Sequence, residues 1–327
     1  MKILVYNVRD DEELFVEKFG KKYNVDLVLC REDPVAETAS LAEGIPCLSV
    51  ITRPLNRSLL GEFYNRGVRF ISTRTIGYDH IDVAAAKDLG IRISNVSYSP
   101  DTVSNYTVMF ILMALRKVKA IYRQAVAQDF SLAVVQGREL RNLTVGVAGT
   151  GRIGTRVIEH LAGFGCRILA FDKVRNDRAG RIASYVGWEE LLGQSDVLTL
   201  HMNPSPENRW LINAEAFSKM KDGVILVNCA RGSLVETAAF LDAIESGKVG
   251  GAAIDVHENE ANLYYYDLRG KVLPNRDMAV LKSYPNVIVT PHTAFYTDQA
   301  VSDMVENSIL SCIAYYEHKD NPYEITL

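Results

Sequence analysis

The chain has 327 residues, long enough for two domains that each bury a core. Its composition is ordinary for a globular protein, 48% hydrophobic and 23% charged with no low-complexity tract. A net charge of −4 gives no reason to expect nucleic acid or an anionic membrane as a partner, although one local basic pocket for a small acid stays compatible with it. Cys30, Cys47, Cys166, Cys229 and Cys312 are scattered, odd in number and without C-x-x-C spacing, so neither a disulfide scaffold nor structural zinc is expected. The opening MKILVYNVRDDEE runs straight into acids and reads as a first strand, not a signal peptide. Residues 108–115 are the most apolar run and are too short to span a bilayer. The expectation is a reduced, soluble, cytoplasmic protein.

Residues 1–98 alternate between strand and helix patterns. KILVYNV, VDLVLC, CLSVIT, RFISTR and IRISNV read as strands; EELFVEKFGKKY, residues 36–42, LLGEFYNRG and VAAAKDLG read as helices. That alternation predicts an open, doubly wound parallel sheet covered on both faces. The segment has no Gly-rich phosphate loop of its own, so it is expected to serve as a second domain beside a nucleotide-binding one. Ser99-Pro100-Asp101 then starts a helix, with Pro in the first turn. The pattern predicts one long helix over 101–128, apolar enough to be deeply buried or shared with a second subunit; a homodimer is expected through it.

Residues 142–172, NLTVGVAGTGRIGTRVIEHLAGFGCRILAFD, organise the rest of the chain. LTVGVA reads as a buried strand, and Gly149, Gly151 and Gly154 follow in a G-x-G-x-x-G. Apolar residues at helical spacing come next, then the strand RILAF, then Asp172. In such a unit the glycines give the tight turn, the close approach to a pyrophosphate and the helix–strand contact. The first helical amides hold the phosphates. Asp172 is placed to accept from ribose hydroxyls and repel a 2′-phosphate. NAD is therefore the expected cofactor, with Lys173 and Arg175 leaving NADP open.

Four more strands follow: DVLTLH (196–201), GVILVNCA (223–230), GGAAIDV (250–256) and NVIVTPH (286–292). The last helix, near 298–317, is expected to cross back to the first domain, which gives 1–98 and 296–327 as a substrate-binding domain and 99–295 as the NAD-binding Rossmann domain. Ligands of doubly wound sheets lie beyond the carboxyl ends of the strands. Arg231, Asp255 with Glu260 five residues on, and His292 all follow strand ends. These residue types suit hydride transfer to a 2-keto acid. A guanidinium clamps a carboxylate in bidentate fashion. An imidazole donates the proton and, in the oxidative direction, takes it back. A carboxylate beside an imidazole orients it and favours its charged form. Each residue also has a bland reading: Arg231 as a turn cap or ion-pair partner, Glu260 in HENE as a solvated charge, and His292 as a satisfied strand-end histidine. His201 is a lesser rival base.

With those residues in view, the chain resembles the D-isomer-specific 2-hydroxyacid dehydrogenases over essentially its whole length. GVAGTGRIG, SDVLTLHMNP, MKDGVILVNCARGSLVE, SGKVGGAAIDV and NVIVTPHTAFYT carry the resemblance, and STRTIGYDHID and NVSYSPD point to the D-lactate dehydrogenase branch. The resemblance implies two doubly wound, Rossmann-like domains with an active-site cleft between them. It implies Arg231, Glu260 and His292 as catalytic, and Ile76, Gly77, Tyr98, Arg231 and Phe295 at the substrate. Gly149, Gly151, Arg152, Ile153, Gly154, Asp172, Met202, Asn203, Asn208, Cys229, Ala230 and Asp255 would meet NAD. No metal is implied, and the family is usually dimeric through the helix matched by 101–128. Two departures stand out: NVSYSP is one residue shorter than NVPxYSP, and HENEA replaces a Gly-containing turn before the catalytic Glu.

Phe295 and Tyr296 after His292 suggest an aromatic wall and a small substrate, so pyruvate reduced to D-lactate is the expected reaction. Arg53 after CLSVIT, if it reaches the substrate, would instead favour a diacid such as 2-oxoglutarate; its bland reading is a solvated loop arginine. Phenylpyruvate and 2-oxoisocaproate are the other larger keto acids in view. A formate dehydrogenase would carry Gln at the Glu260 position. An NAD-sensing corepressor-like protein would keep the same triad without turnover.

Overall fold

The hydrophobic alternation of the first hundred residues resolves into five short parallel strands: β1 (Lys2–Val5), β2 (Asp26–Leu29), β3 (Cys47–Val50), β4 (Phe70–Thr73) and β5 (Arg92–Ser94). They form one sheet in the order β2-β1-β3-β4-β5. Period-2 side chains feed two cores. Ile3, Val5, Cys47 and Phe70 pack with Phe19 of the helix Asp10–Tyr23 and with Val305, Ile309 and Cys312 of the helix Asp298–Tyr316. Leu4, Leu48, Val50 and Ile71 pack with Leu60, Phe63, Ala85 and Ala86 from the helices Arg57–Asn65 and Val83–Leu89. Local chemistry sets the helix ends: Thr297 Oγ1 accepts from Ala300 N at 3.2 Å, and Asp82 Oδ1 from Ala85 N at 2.9 Å. Within the predicted 36–42 helix, the chain forms only a 3-10 turn, Ala39–Ala42.

The computed structural model describes residues 1–260 and 263–326, so Ala261, the last residue of the HENEA stretch, lies outside it. The chain separates into two compact units, one made of Met1–Ser99 and the chain from Tyr296 onward, the other of Pro100–Phe295.

The second unit holds a parallel sheet of seven strands: β6 (Thr144–Ala148), β7 (Arg167–Phe171), β8 (Ser184–Tyr185), β9 (Val197–Leu200), β10 (Val224–Asn228), β11 (Val249–Ile254) and β12 (Val287–Val289). Their order is β12-β11-β10-β9-β6-β7-β8. The strands are near-continuous apolar runs because both faces are covered. Leu198, Leu200, Leu226 and Ile254 meet Phe217 and Phe240 on one side. Val145, Val147, Val197 and Val227 meet Phe110, Ile111, Ile158 and Leu161 on the other.

The long helix expected over 101–128 is instead two helices, Pro100–Leu115 and Val118–Val126, broken at Lys117, whose φ is +53°. Residues 137 and 138 cause the break. Arg138 N donates to Leu115 O at 3.1 Å, taking a carbonyl that a continuous helix would use. A Cβ on Gly137 would stand 2.8 Å from the same oxygen, so only glycine admits the crossing there. Beyond the break the apolar side chains Tyr122, Val126, Phe130, Leu132 and Val134 are exposed. Among the described residues no helix is long and apolar enough to cross a membrane.

Candidate active site

Parallel pairing sets the site. Asn228 pairs with Ile254, and Ile254 pairs with Val289, so the carboxyl ends of β10, β11 and β12 share one sheet edge. Arg231, Asp255 and His292 lie within three residues of those ends.

At the end of β10 the buried Asn228 folds the bend that carries Arg231. Its Oδ1 accepts from Ala230 N at 3.0 Å, and its Nδ2 donates to Arg231 O at 2.9 Å. Arg231 Nη1 donates to Ala230 O at 2.7 Å. The next residue, Gly232, lies against the loop after β11. A Cβ there would stand 2.1 Å from His257 C and 2.3 Å from Glu258 N. This close approach sets the Arg231 bend beside the loop that bears Glu260.

Asp255, fully buried at the end of β11, organises the turn after β12. Thr293 N and Ala294 N each donate to it at 2.8 Å, and Thr290 Oγ1 donates as well. His292 N donates to Asp255 O at 2.8 Å. Held so, His292 takes a φ of +55°, the left-handed region that a non-glycine residue occupies at a cost and that clusters at functional sites. His292 Nδ1 lies 2.7 Å from Glu260 Oε1. The other oxygen, Oε2, accepts from His257 N at 2.9 Å. The HENE stretch thus splits by residue. Glu258 accepts from Trp210 Nε1 at 2.7 Å and Thr237 Oγ1 at 3.0 Å and pairs with Arg209, so it is structural. Asn259 supplies the left-handed turn (φ +61°) that a glycine gives elsewhere. Glu260 faces His292.

Two rings that sequence reasoning missed flank this pair. Tyr264 meets His292 edge-on at 6.5 Å between centroids, and Tyr265 lies at 6.4 Å, its hydroxyl donating to His292 O at 3.0 Å. Burial and the nearby Glu260 and Asp255 carboxylates push the Tyr264 hydroxyl well above the usual phenol range. The rival His201 is a different case. Thr199 Oγ1 lies 2.9 Å from its Nε2, and burial pushes its pKa down to about 3. It is neutral near pH 7 and has no proton to give.

The glycine-rich turn has the shape a pyrophosphate requires. Gly149 has a φ of +96°, and a Cβ there would stand 2.7 Å from His201 C. A Cβ on Gly154 would collide with Gly149 O. At Gly151 nothing lies within 4 Å, so the space is open. Gly151 is also the N-cap of the helix Arg152–Ala162 and offers no capping side chain, which leaves the first amides, including those of Arg152 and Ile153, for an anion. Asp172 follows β7, and its Oδ2 accepts from Thr150 N at 2.6 Å and from Thr150 Oγ1 at 3.2 Å. Met202 and Asn203 follow β9. Asn208 closes a capping box with Ser205 and donates to Asn203 O at 2.6 Å. Cys229 and Ala230 follow β10, with the Cys229 thiol pushed up by burial.

Ile76, Gly77 and Tyr98 belong to the first unit, and Phe295 closes the second. Asn95 Nδ2 donates to Ile76 O at 2.7 Å and Thr75 Oγ1 to Gly77 O at 2.6 Å. The amides of Ile76 and Gly77 have no hydrogen-bond partner among the described residues. Two consecutive unpaired amides past a strand end make a small anion site.

Residues 108–294 match the family described as D-isomer specific 2-hydroxyacid dehydrogenase, NAD binding domain. A D-specific alpha-keto acid dehydrogenase of Enterococcus faecium is 41% identical over 98% of each chain. An aromatic 2-oxoacid reductase of Clostridium sporogenes is 38% identical over 95% of each. The solved structure of a D-lactate dehydrogenase from Treponema pallidum superposes over the whole of both chains with a TM-score of 0.91 at 34% identity.

Proposed function

We propose that this chain, which belongs to the D-isomer-specific 2-hydroxyacid dehydrogenase family of NAD-dependent oxidoreductases, reduces pyruvate to D-lactate with His292 as proton donor. The observation that carries the reading is the His292–Glu260 pair at the sheet edge that also bears Arg231. NADH supplies the hydride when bound. Arg231 clamps the substrate carboxylate and polarises the neighbouring carbonyl. Glu260 engages Nδ1 of His292, which assigns Nε2 to donate the proton to the carbonyl oxygen as that oxygen gains charge. Asp255 fixes the turn that holds the ring. Tyr264 and Tyr265 shield the pair from water.

The open turn at Gly149, Gly151 and Gly154, with the amides of Arg152 and Ile153, holds the pyrophosphate. Asp172 selects the unphosphorylated ribose, and Met202, Asn203, Asn208, Cys229 and Ala230 line the rest of the nucleotide path. In this reading Pro100–Phe295 is the NAD-binding domain and the other unit binds substrate, through the amides of Ile76 and Gly77 with Tyr98 nearby. Phe295, half-buried after His292, walls the side-chain end and favours a small acid. The protein is cytoplasmic, with no nucleic-acid or membrane partner.

A homodimer forms through the helix Val118–Val126 and the arm beyond it, because Phe130, Leu132 and Val134 are more than three-quarters exposed and need cover. Light scattering of the Phe130→Asp, Leu132→Asp double variant gives a monomer if that face is the interface.

A second reading, the same chemistry on phenylpyruvate or 2-oxoisocaproate, is favoured by the similarity to an aromatic 2-oxoacid reductase. Steady-state NADH oxidation with pyruvate, phenylpyruvate, 2-oxoisocaproate, oxaloacetate and 2-oxoglutarate, with chiral analysis of the product, decides between them. Pyruvate preferred and D-lactate formed supports the proposal, and preference for a larger acid transfers it to the second reading. NADH binding with no turnover points to a sensor instead.

A further inference from the structure

The charged residues at the carboxyl edge of the first sheet take no part in the chemistry of Arg231, Glu260 and His292. The strands run β2-β1-β3-β4, and the chain just beyond each of the first three contributes one residue to a cluster: Asp33 after β2, Asn7 after β1 and Arg53 after β3. Arg53 stands three residues beyond Val50, which pairs with Thr73; Ile76 stands three beyond Thr73. Arg53 is therefore the strand-neighbour of the Ile76–Gly77 amides. Arg53 Nε lies 2.8 Å from Asp33 Oδ2, with both side chains about a third exposed. Asn7 Nδ2 donates to the other oxygen of Asp33. The Asp33 backbone is fixed as well, because Asp33 O accepts from Thr38 Oγ1 at 2.7 Å and Glu32 O from Asn7 N at 3.1 Å.

A guanidinium beside an anion site is the group that would recognise the distal carboxylate of a keto diacid. Here it already carries a fixed counter-ion on the same chain, present at high effective concentration and ordered before substrate arrives. A second substrate carboxylate must displace Asp33 and then tolerate its charge nearby. A keto monoacid meets neither obstacle.

We propose that Asp33 is a charge gate on substrate choice: by holding Arg53 it makes this member of the family refuse keto diacids while accepting keto monoacids. The inference rests on the 2-keto acid reading of the site, and turnover and binding measured side by side separate the two. Asp33→Asn keeps the shape and removes the charge, so it releases Arg53 without emptying the corner. The released guanidinium then pairs with a remote carboxylate, equally in ground and transition states, which lowers KM and leaves kcat in place. A charge-assisted bond supports a rise of about tenfold or more in kcat/KM for 2-oxoglutarate. Pyruvate and phenylpyruvate turnover stays within about twofold of the original, since neither has a second carboxylate to benefit.

The test measures kcat and KM for 2-oxoglutarate, pyruvate and phenylpyruvate in wild type, Asp33→Asn and the double variant Asp33→Asn, Arg53→Gln. Calorimetric binding of glutarate and propionate to the same three NADH-loaded proteins runs in parallel. A 2-oxoglutarate improvement confined to KM in Asp33→Asn and abolished in the double variant supports the gate. Glutarate binding that appears in Asp33→Asn and disappears in the double variant supports it even where no keto acid turns over, an outcome that would sink the functional reading alone. Three results overturn the gate: unchanged selectivity in a folded Asp33→Asn protein, an improvement that persists without Arg53, or a wild type that already prefers the diacid.

Discussion

Glu260 Oε1 and His292 Nδ1 are 2.7 Å apart, although 32 residues of chain separate them. The second oxygen of Glu260 is fixed by His257 N, so the carboxylate cannot rotate away from the ring without losing a bond. Removing either partner has a distinct expected cost. His292→Ala loses the proton donor, and kcat falls about 10²- to 10⁴-fold while NADH affinity, measured by fluorescence titration, stays near the original. Glu260→Gln keeps the shape and loses the charged acceptor, for a decrease of about 10- to 100-fold. Loss of NADH affinity in a folded His292→Ala protein would show that the ring serves the cofactor instead.

Gly232 gives a separate test of how Arg231 is positioned. An alanine Cβ there would lie 2.1 Å from His257 C, so the bend after β10 must move away from the loop after β11. That movement displaces Arg231, and misplacement of about 1 Å costs on the order of 10²-fold in kcat/KM. The clash also destabilises the fold by about 1–3 kcal/mol. Comparing urea midpoints with kcat/KM separates the two effects: Gly232→Ala should lose far more activity than the fraction unfolded explains. Full activity would mean that the bend tolerates the methyl group and that the close approach is incidental.

How much was legible in the sequence follows from the range of each interaction. The strands were legible because doubly covered parallel strands are continuous apolar runs, and the glycine turn because its three positions sit between strand and helix in fixed order. Arg231, Glu260 and His292 were legible as polar residues just past strand ends. The break at Lys117 was not, since its cause is a segment twenty residues later that takes the Leu115 carbonyl. Tyr264 and Tyr265 were missed because residues 255–275 have no periodicity to orient a side chain. The tie between Arg53 and Asp33 spans strands β2, β1 and β3 in space, and no local pattern predicts a pairing of that kind.

Asp172 tests cofactor choice. Its carboxylate is pinned to the glycine turn by Thr150 N and Thr150 Oγ1, so its charge sits at a fixed place beyond β7. A 2′-phosphate brought there meets like charge. Asp172→Ser removes the charge and keeps a hydroxyl for Thr150, and the ratio of kcat/KM for NADPH to that for NADH should rise about tenfold or more. An unchanged ratio would move discrimination to another residue, with Lys173 and Arg175 next in line.

His201 links stability to pH in a window that can be worked out from its burial. Its pKa is pushed down to about 3 in the fold, against an ordinary value of 6.5. Above pH 6.5 the ring is neutral in both folded and unfolded chains, and the stability is intact. As the pH falls below 6.5 the unfolded chain binds a proton that the folded chain refuses until about pH 3, so stability is lost progressively across that interval. The loss is on the order of a few kcal/mol. His201→Gln retains a group that can meet Thr199 Oγ1 and removes the titration. Urea midpoints at pH 7.5 and 4.5 should therefore converge in the variant more than in the original protein. Equal losses in the two proteins would mean that the ring is protonated in the fold, which would restore His201 as a rival acid.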